Sequence, residues 1–249
     1  MEVVYEDNHI IIVSKRSGEI VQGDKTGDRP LSEVVKDYLK VKYQKPGNVF
    51  LGVVHRLDRP VSGLVVFART SKALTRLNKM FAEGQVHKTY WAIVDKDKKE
   101  PTSASSAAAD QSLSAREAVN QSSPPRGDRG GLLSHWLTRN EQQNKSYAHD
   151  REVPHSKKAE LRYRVIGRSE RYELWEVELL TGRHHQIRCQ LATVGRPIRG
   201  DLKYGARRSN PDGSISLLSR RVEFDHPVSG EHICVEAPLP DDPLWKVFS

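Results

Sequence analysis

Close-spaced cysteines are absent. The only two, Cys189 and Cys234, lack the spacing of a zinc or redox pair, and both read as reduced core residues. Long apolar runs are absent as well, since nothing approaches the roughly 18 consecutive apolar residues of a membrane-spanning helix. The opening MEVVYEDNHI lacks the basic start, apolar core and small-residue cleavage site of a secretory signal. A soluble, cytoplasmic protein with no membrane partner is expected. An acidic excess is missing too: 40 Lys and Arg face 32 Asp and Glu, giving a formal charge of +8. That balance favours a polyanionic partner through phosphate contacts and counterion release.

The positive charge is concentrated. Arg183, Arg188, Arg196, Arg199, Lys203, Arg207 and Arg208 follow one another with Asp201 as the only acid among them. A local basic field of this kind fits a nucleic acid.

Periodicity gives the organisation. VVYEDNHIIIVSKRSGEIV reads as a β-hairpin over an Asp-Asn turn, ending in a Gly turn. LSEVVKDYLKVKY after Pro30 places Val34, Val35, Tyr38 and Leu39 on one helical face, with Ser32 as its expected N-cap. FLGVV and GLVVFA read as strands around a polar loop, HRLDRPVS, and SKALTRLNKMFAEG as a second helix. HKTYWAIVD alternates as a strand. From about 96 to 130, runs such as SASSAAADQSLSA offer hardly any bulky apolar side chain, too little to offset ordering entropy. This stretch is expected to be a flexible low-complexity insertion in a single domain spanning 1–249. Beyond it, GLLSHWLTRNEQQNKSYA can regain local order. AELRYRVIGRSERYELWEVELL returns to strands, HHQIRCQLATVG reads as a third helix ending at Gly195, and the tail adds two strands around DHPVSG. The fold class is α+β: a mixed, mainly antiparallel sheet of about eight strands with about three flanking helices and a central cleft.

Two segments can carry chemistry. In HRLDRPVSG, Asp58 sits between Arg56 and Arg59 on a loop flanked by apolar strands. Guanidinium groups there favour the charged carboxylate, which suits a nucleophile or base; a simple turn cap has the same look. His55 reads equally as a loop anchor. In TGRHHQIRCQLATVGRPIRGDLKYGA, a tight turn opens a helix with Arg183, Gln186 and Arg188 near its N-terminus, where free N–H groups favour an anion. His184 and His185 are adjacent and so do not share a helical face, which argues against a metal site. Tyr90 follows Lys88 on a strand and can stack on an extruded base or simply pack.

Taken together, these segments resemble the RluA-like pseudouridine synthase family. The first motif is similar, with Arg16 where the family has proline; HRLDRPVSGLVVFART resembles the signature loop, with Val61 where Thr is commoner. HKTYWAIV is similar to the tyrosine-bearing strand. The last motif carries His184 in place of Thr or Ser, and Cys189 and Gln190 where Val-His is frequent. The resemblance covers about residues 1 to 95 and 158 to 240. It implies an RNA pseudouridine synthase with the pseudouridine synthase fold, acting without cofactor or metal on ribosomal RNA or tRNA. It also implies that Asp58 attacks a flipped-out uridine at the base or the ribose anomeric carbon, that Tyr90 stacks on the base, and that Arg188 pairs with Asp58 within about 4 Å. Leu217 or Leu218 would wall the base. His55, Arg56, Arg59, Arg183, His185, Gln186 and Lys203 are the candidate RNA contacts. No RNA-binding module is expected ahead of the first motif, and the enzyme is expected to act as a monomer.

Two alternatives belong to other classes. A non-catalytic RNA-binding protein on the same scaffold would use the charge and aromatics alone, and the joint retention of Asp58, Tyr90 and Arg188 argues against it. The other is an Asp-dependent hydrolase or metal-dependent RNA nuclease, against which stands the lack of a carboxylate cluster able to hold a magnesium pair in the sequence.

Overall fold

A computed structural model describes residues 1–24, 26–96 and 130–248. The expected insertion over 96–130 lies outside these residues apart from its two end positions.

The chain starts with the expected hairpin, β1 (Glu2–Glu6) and β2 (Ile10–Lys15). Its turn is closed by Asp7, whose carboxylate accepts from the His9 and Ile10 amides at 2.7 and 2.8 Å. Helix α1 (Leu31–Lys42) follows Pro30, with Val35 and Leu39 buried. Ser32 is not its cap. The Leu31 and Ser32 amides donate to the Ile20 and Val21 carbonyls, so the preceding chain already satisfies two of the amides a capping side chain would serve.

Next come β3 (Gly52–Val53), β4 (Ser62–Ala68), α2 (Ser71–Ala82) and β5 (His87–Asp95). Thr70 caps α2 through its hydroxyl, which accepts from the Ala73 amide. After 130 follow β6 (Gly131–Asn140), β7 (Lys145–His149), β8 (Lys157–Arg168) and β9 (Tyr172–Leu179). The chain closes with α3 (Gln186–Thr193), a 3-10 turn at Leu202–Tyr204, β10 (Leu217–Asp225), β11 (His232–Glu236) and the short α4 (Pro243–Lys246).

Among the described residues, eleven strands form one sheet, in the order β1-β2-β4-β10-β5-β9-β8-β6-β7, with β3 on β4 and β11 on β10. This exceeds the eight or so expected from sequence. The additions include the β6–β7 hairpin, whose buried positions are few: Leu133, His135, Leu137 and Ser146. All pairings are antiparallel except β10 with β4, where Ser219 faces Gly63. A Cβ on Gly63 would run into the Ser219 backbone, and its φ of +110° is one that side chains avoid.

Alternation along β2 divides the core. Ile11 and Val13 join α1 and α3 residues on one face, while Ile10 and Ile12 join α2 and α4 residues on the other. The same alternation corrects one expectation. Cys189 is buried, but Cys234 sits exposed on β11 because its neighbour Ile233 takes the inward position.

Candidate active site

The 54–61 loop carrying Asp58 joins β3 to β4, on the face covered by α1 and α3. Leu57 and Val61 are buried beneath it, and the Val61 amide donates to the Asp58 carbonyl at 3.0 Å. The rest of the loop is held by the first motif. The Arg59 carbonyl accepts from the Gly18 amide at 2.9 Å and from Lys15 Nζ at 3.1 Å; the Pro60 carbonyl accepts from Ser17 Oγ at 3.2 Å. Lys15 is 1% exposed, and burial lowers its pKa to about 8. Sequence reasoning gave it no role, although the strand period puts Lys15 on the inward face with Ile11 and Val13. An inward lysine at a strand end is the signal that marks it.

From the other side of the sheet order, α3 brings Arg188 and His185. The Arg188 Nη1 donates to Asp58 Oδ2 at 2.9 Å across 130 positions of sequence. Its Nε and Nη2 donate to the two oxygens of Asp201 at 2.7 and 2.9 Å. Burial disfavours the guanidinium charge, but the two carboxylates outweigh it and raise its pKa. The one acid within the basic run is therefore the partner of Arg188. The anions that the start of α3 meets are internal carboxylates. The charge of Arg188 is spent on two carboxylates, and the Gln186 carboxamide fills the first turn, accepting from the Arg183 amide and the Thr181 hydroxyl. His185 adopts the left-handed conformation ahead of the helix (φ 51°) and places Nε2 3.4 Å from Asp58 Oδ2. Burial lowers its pKa to about 3, so the ring is neutral.

Asp58, Arg188, His185 and Tyr90 line one cleft of about 870 Å³. Tyr90 is buried on β5; burial pushes its pKa up to about 12, which leaves a neutral phenol at pH 7. Of the two leucines, Leu217 lines the cleft, and Leu218 packs into the opposite core. Arg56, Arg183 and Gln186 also line it. Arg59 and Lys203 do not: Arg59 pairs with Asp28 at 2.7 Å, and Lys203 donates to the Gln143 and Asn144 carbonyls. His55 lines the cleft but serves the scaffold. Its Nε2 accepts from the Val66 amide at 2.9 Å, its ring stacks on Phe81, and burial lowers its pKa to about 3, so it offers no charge to a phosphate.

No group of three His, Cys, Asp or Glu suited to a metal ion occurs among the described residues. His184 and His185 stack on each other at 3.8 Å, with His184 Nδ1 engaged by Ser146 Oγ and Nε2 by Asn144 Oδ1. No helix among the described residues is long and apolar enough to cross a membrane. What the arrangement offers is a half-exposed carboxylate, braced by a guanidinium, beside an aromatic wall in a cleft rimmed with arginines. That suits covalent attack on a flat, polar, anion-linked ring.

Comparison with known proteins agrees with this chemistry. The RNA pseudouridylate synthase family matches residues 9–193. Ribosomal large subunit pseudouridine synthase D of Pseudomonas aeruginosa is 31% identical, covering 98% of this chain and 70% of that protein. The protein of the same name from Vibrio cholerae is 29% identical, covering 97% and 68%. In fold, human RNA Pseudouridylate Synthase Domain Containing 4 superposes with a TM-score of 0.71 at 18% identity, over 99% of this chain and 91% of that one. The match spans both the Asp58 loop and the α3 arginine that meets it, and the chain belongs to the RNA pseudouridine synthase family.

Proposed function

We propose that this RNA pseudouridine synthase isomerises a uridine of ribosomal large-subunit RNA, with Asp58 as its nucleophile. The observation that carries the reading is the meeting of Asp58, Arg188 and Tyr90 in one cleft, from three separate segments of the chain. The curated relatives named for the large ribosomal subunit support this RNA over tRNA. A monomeric catalytic domain in the cytoplasm is the setting, with the single continuous sheet as support for one domain.

The reaction exchanges a bond from ribose C1′ to N1 for one from C1′ to C5, with no redox change. On the ribose route, a carboxylate lone pair forms an ester at C1′, and the C1′–N1 pair leaves with uracil. On the base route, the lone pair adds to C6, the C5=C6 pair moves toward the C4 carbonyl, and the C1′–N1 bond then breaks with its pair staying on N1. Either way uracil turns, C5 bonds to C1′, the carboxylate recovers its pair, C5 loses a proton and N1 gains one. In this reading the Tyr90 ring and Leu217 hold the detached base, Arg188 orients the carboxylate, and Arg56 and Arg183 contact the RNA backbone.

The purified chain should place pseudouridine in large-subunit RNA transcripts, read as carbodiimide-dependent primer-extension stops. Stops in tRNA alone would move the substrate assignment to tRNA.

A further inference from the structure

Two nitrogens converge on a single oxygen of Asp58. Arg188 Nη1 donates to Oδ2 at 2.9 Å, and His185 Nε2 lies 3.4 Å from the same atom. Among the described residues, no hydrogen bond or ion pair engages Oδ1. The side chain is 28% exposed and lines the cleft, so the unengaged oxygen is available to substrate.

Both nitrogens are set by one short turn, Asp201–Tyr204. Asp201, 1% exposed, grips Arg188 through Nε and Nη2, which leaves only Nη1 for Asp58. Its carbonyl accepts from the Tyr204 and Ala206 amides, closing the turn. Tyr204 fixes the histidine. The Ser146 amide donates to the Tyr204 hydroxyl oxygen at 2.8 Å, and a peptide N–H can only donate. The phenol proton then has one acceptor among the described residues, His185 Nδ1 at 2.9 Å. Nδ1 therefore accepts, and the neutral ring carries its proton on Nε2, facing Asp58. The opposite tautomer would set a lone pair against a carboxylate oxygen.

We propose that the Asp201–Tyr204 turn positions Arg188 and His185 so that both donors anchor Oδ2 of Asp58, leaving Oδ1 as the atom that attacks uridine. This rests on the reading of Asp58 as the nucleophile. Oδ1 supplies the lone pair for the bond to C1′ or C6 and takes it back when C5 joins C1′. Anchoring one oxygen stops the carboxylate from rotating, so the other is aimed at the cleft before substrate arrives. Asp201 and Tyr204 are positioning residues.

Tyr204→Phe keeps the ring that packs against Arg188 and removes the donor to Nδ1 together with the acceptor of the Ser146 amide. In the full chain it should cut kcat about tenfold or more and leave KM and the melting temperature within about twofold and a few degrees. The ¹⁵N spectrum of His185 should show Nε2 protonated in the wild type and a tautomer mixture in the variant. Asp201→Asn should lower kcat as well, with a loss of stability because it breaks a buried ion pair. Unchanged kcat in folded Tyr204→Phe, or a wild-type ring protonated on Nδ1, would overturn the proposal. Asp58→Asn run alongside separates the failures: an active Asp58→Asn removes the nucleophile itself, whereas an inactive one beside an unaffected Tyr204→Phe removes only the positioning.

Discussion

Arg188 bonds Asp58 with one nitrogen and Asp201 with the other two, so one buried guanidinium joins the candidate nucleophile to a turn 13 positions further along the chain. Removing it has two consequences. Arg188→Met should leave Asp201 as a buried carboxylate without its partner and cost about 3–5 kcal/mol of stability, as well as at least about 100-fold in kcat. Arg188→Lys should keep part of both, because an ammonium supplies charge but not the planar fork that holds two carboxylates at once. Urea unfolding and steady-state kinetics check the pair. Equal stability of wild type and Arg188→Met would show that Asp201 finds compensation elsewhere.

Stability should fall as pH drops from 7 to 5. Burial holds the His185 and His55 pKa values near 3, and it lowers those of His135 and His184 as well. A histidine lowered in the folded state binds its proton more readily when unfolded. Its contribution is therefore complete above the unfolded value of about 6.5 and is lost as pH falls, at about 1.4 kcal/mol per pH unit for each of His185 and His55. Melting temperatures at pH 7, 6 and 5 test this. A flat or rising series would contradict the neutral, buried rings.

The segment from 97 to 129 should be dispensable for folding. Its composition offers no core, and the sheet order puts β5 and β6 three strand spacings apart, with the start of β6 opposite Tyr163, five residues short of the Arg168 end of β8 near which β5 ends. Three spacings of about 4.8 Å across the strands and five residues of about 3.3 Å along them amount to about 22 Å, which a linker of about ten residues spans. Replacing the segment with such a Gly/Ser linker should move the melting temperature by no more than a few degrees. Loss of folding would show that the segment packs on the domain.

Local patterns in the sequence carried much of the fold and the site. Alternation in IIIVSK and the helical period of LSEVVKDYLK place the core residues Val13, Val35 and Leu39 correctly, because burial enforces those periods. The Asp58 loop stood out as a polar break between apolar strands, but its residues alone fitted a turn cap equally, and the pairing of Asp58 with Arg188 was implied only by the family resemblance. What was not legible depends on contacts remote in sequence. Ser32 has a capping residue's identity but no capping work, since Ile20 and Val21 serve the helix start. Asp201 looked like a stray acid in a basic run until Arg188 was seen against it. Tyr204 and Lys15 gained their roles only when the β6–β7 hairpin and the Asp58 loop packed against them. The parallel pairing of β10 with β4 leaves no local trace beyond Gly63.

The central claim is that Asp58 is the nucleophile, and the release of tritium from RNA labelled at uridine C5 tests it most directly, because forming the C5–C1′ bond expels that hydrogen. Asp58→Asn preserves side-chain volume and removes the attacking carboxylate. We expect its release rate to fall by roughly 10⁴-fold or more, with melting temperature and RNA affinity near those of wild type. A folded Asp58→Asn protein releasing tritium within about tenfold of the wild-type rate would contradict the assignment, since loss of a covalent catalyst costs far more than that.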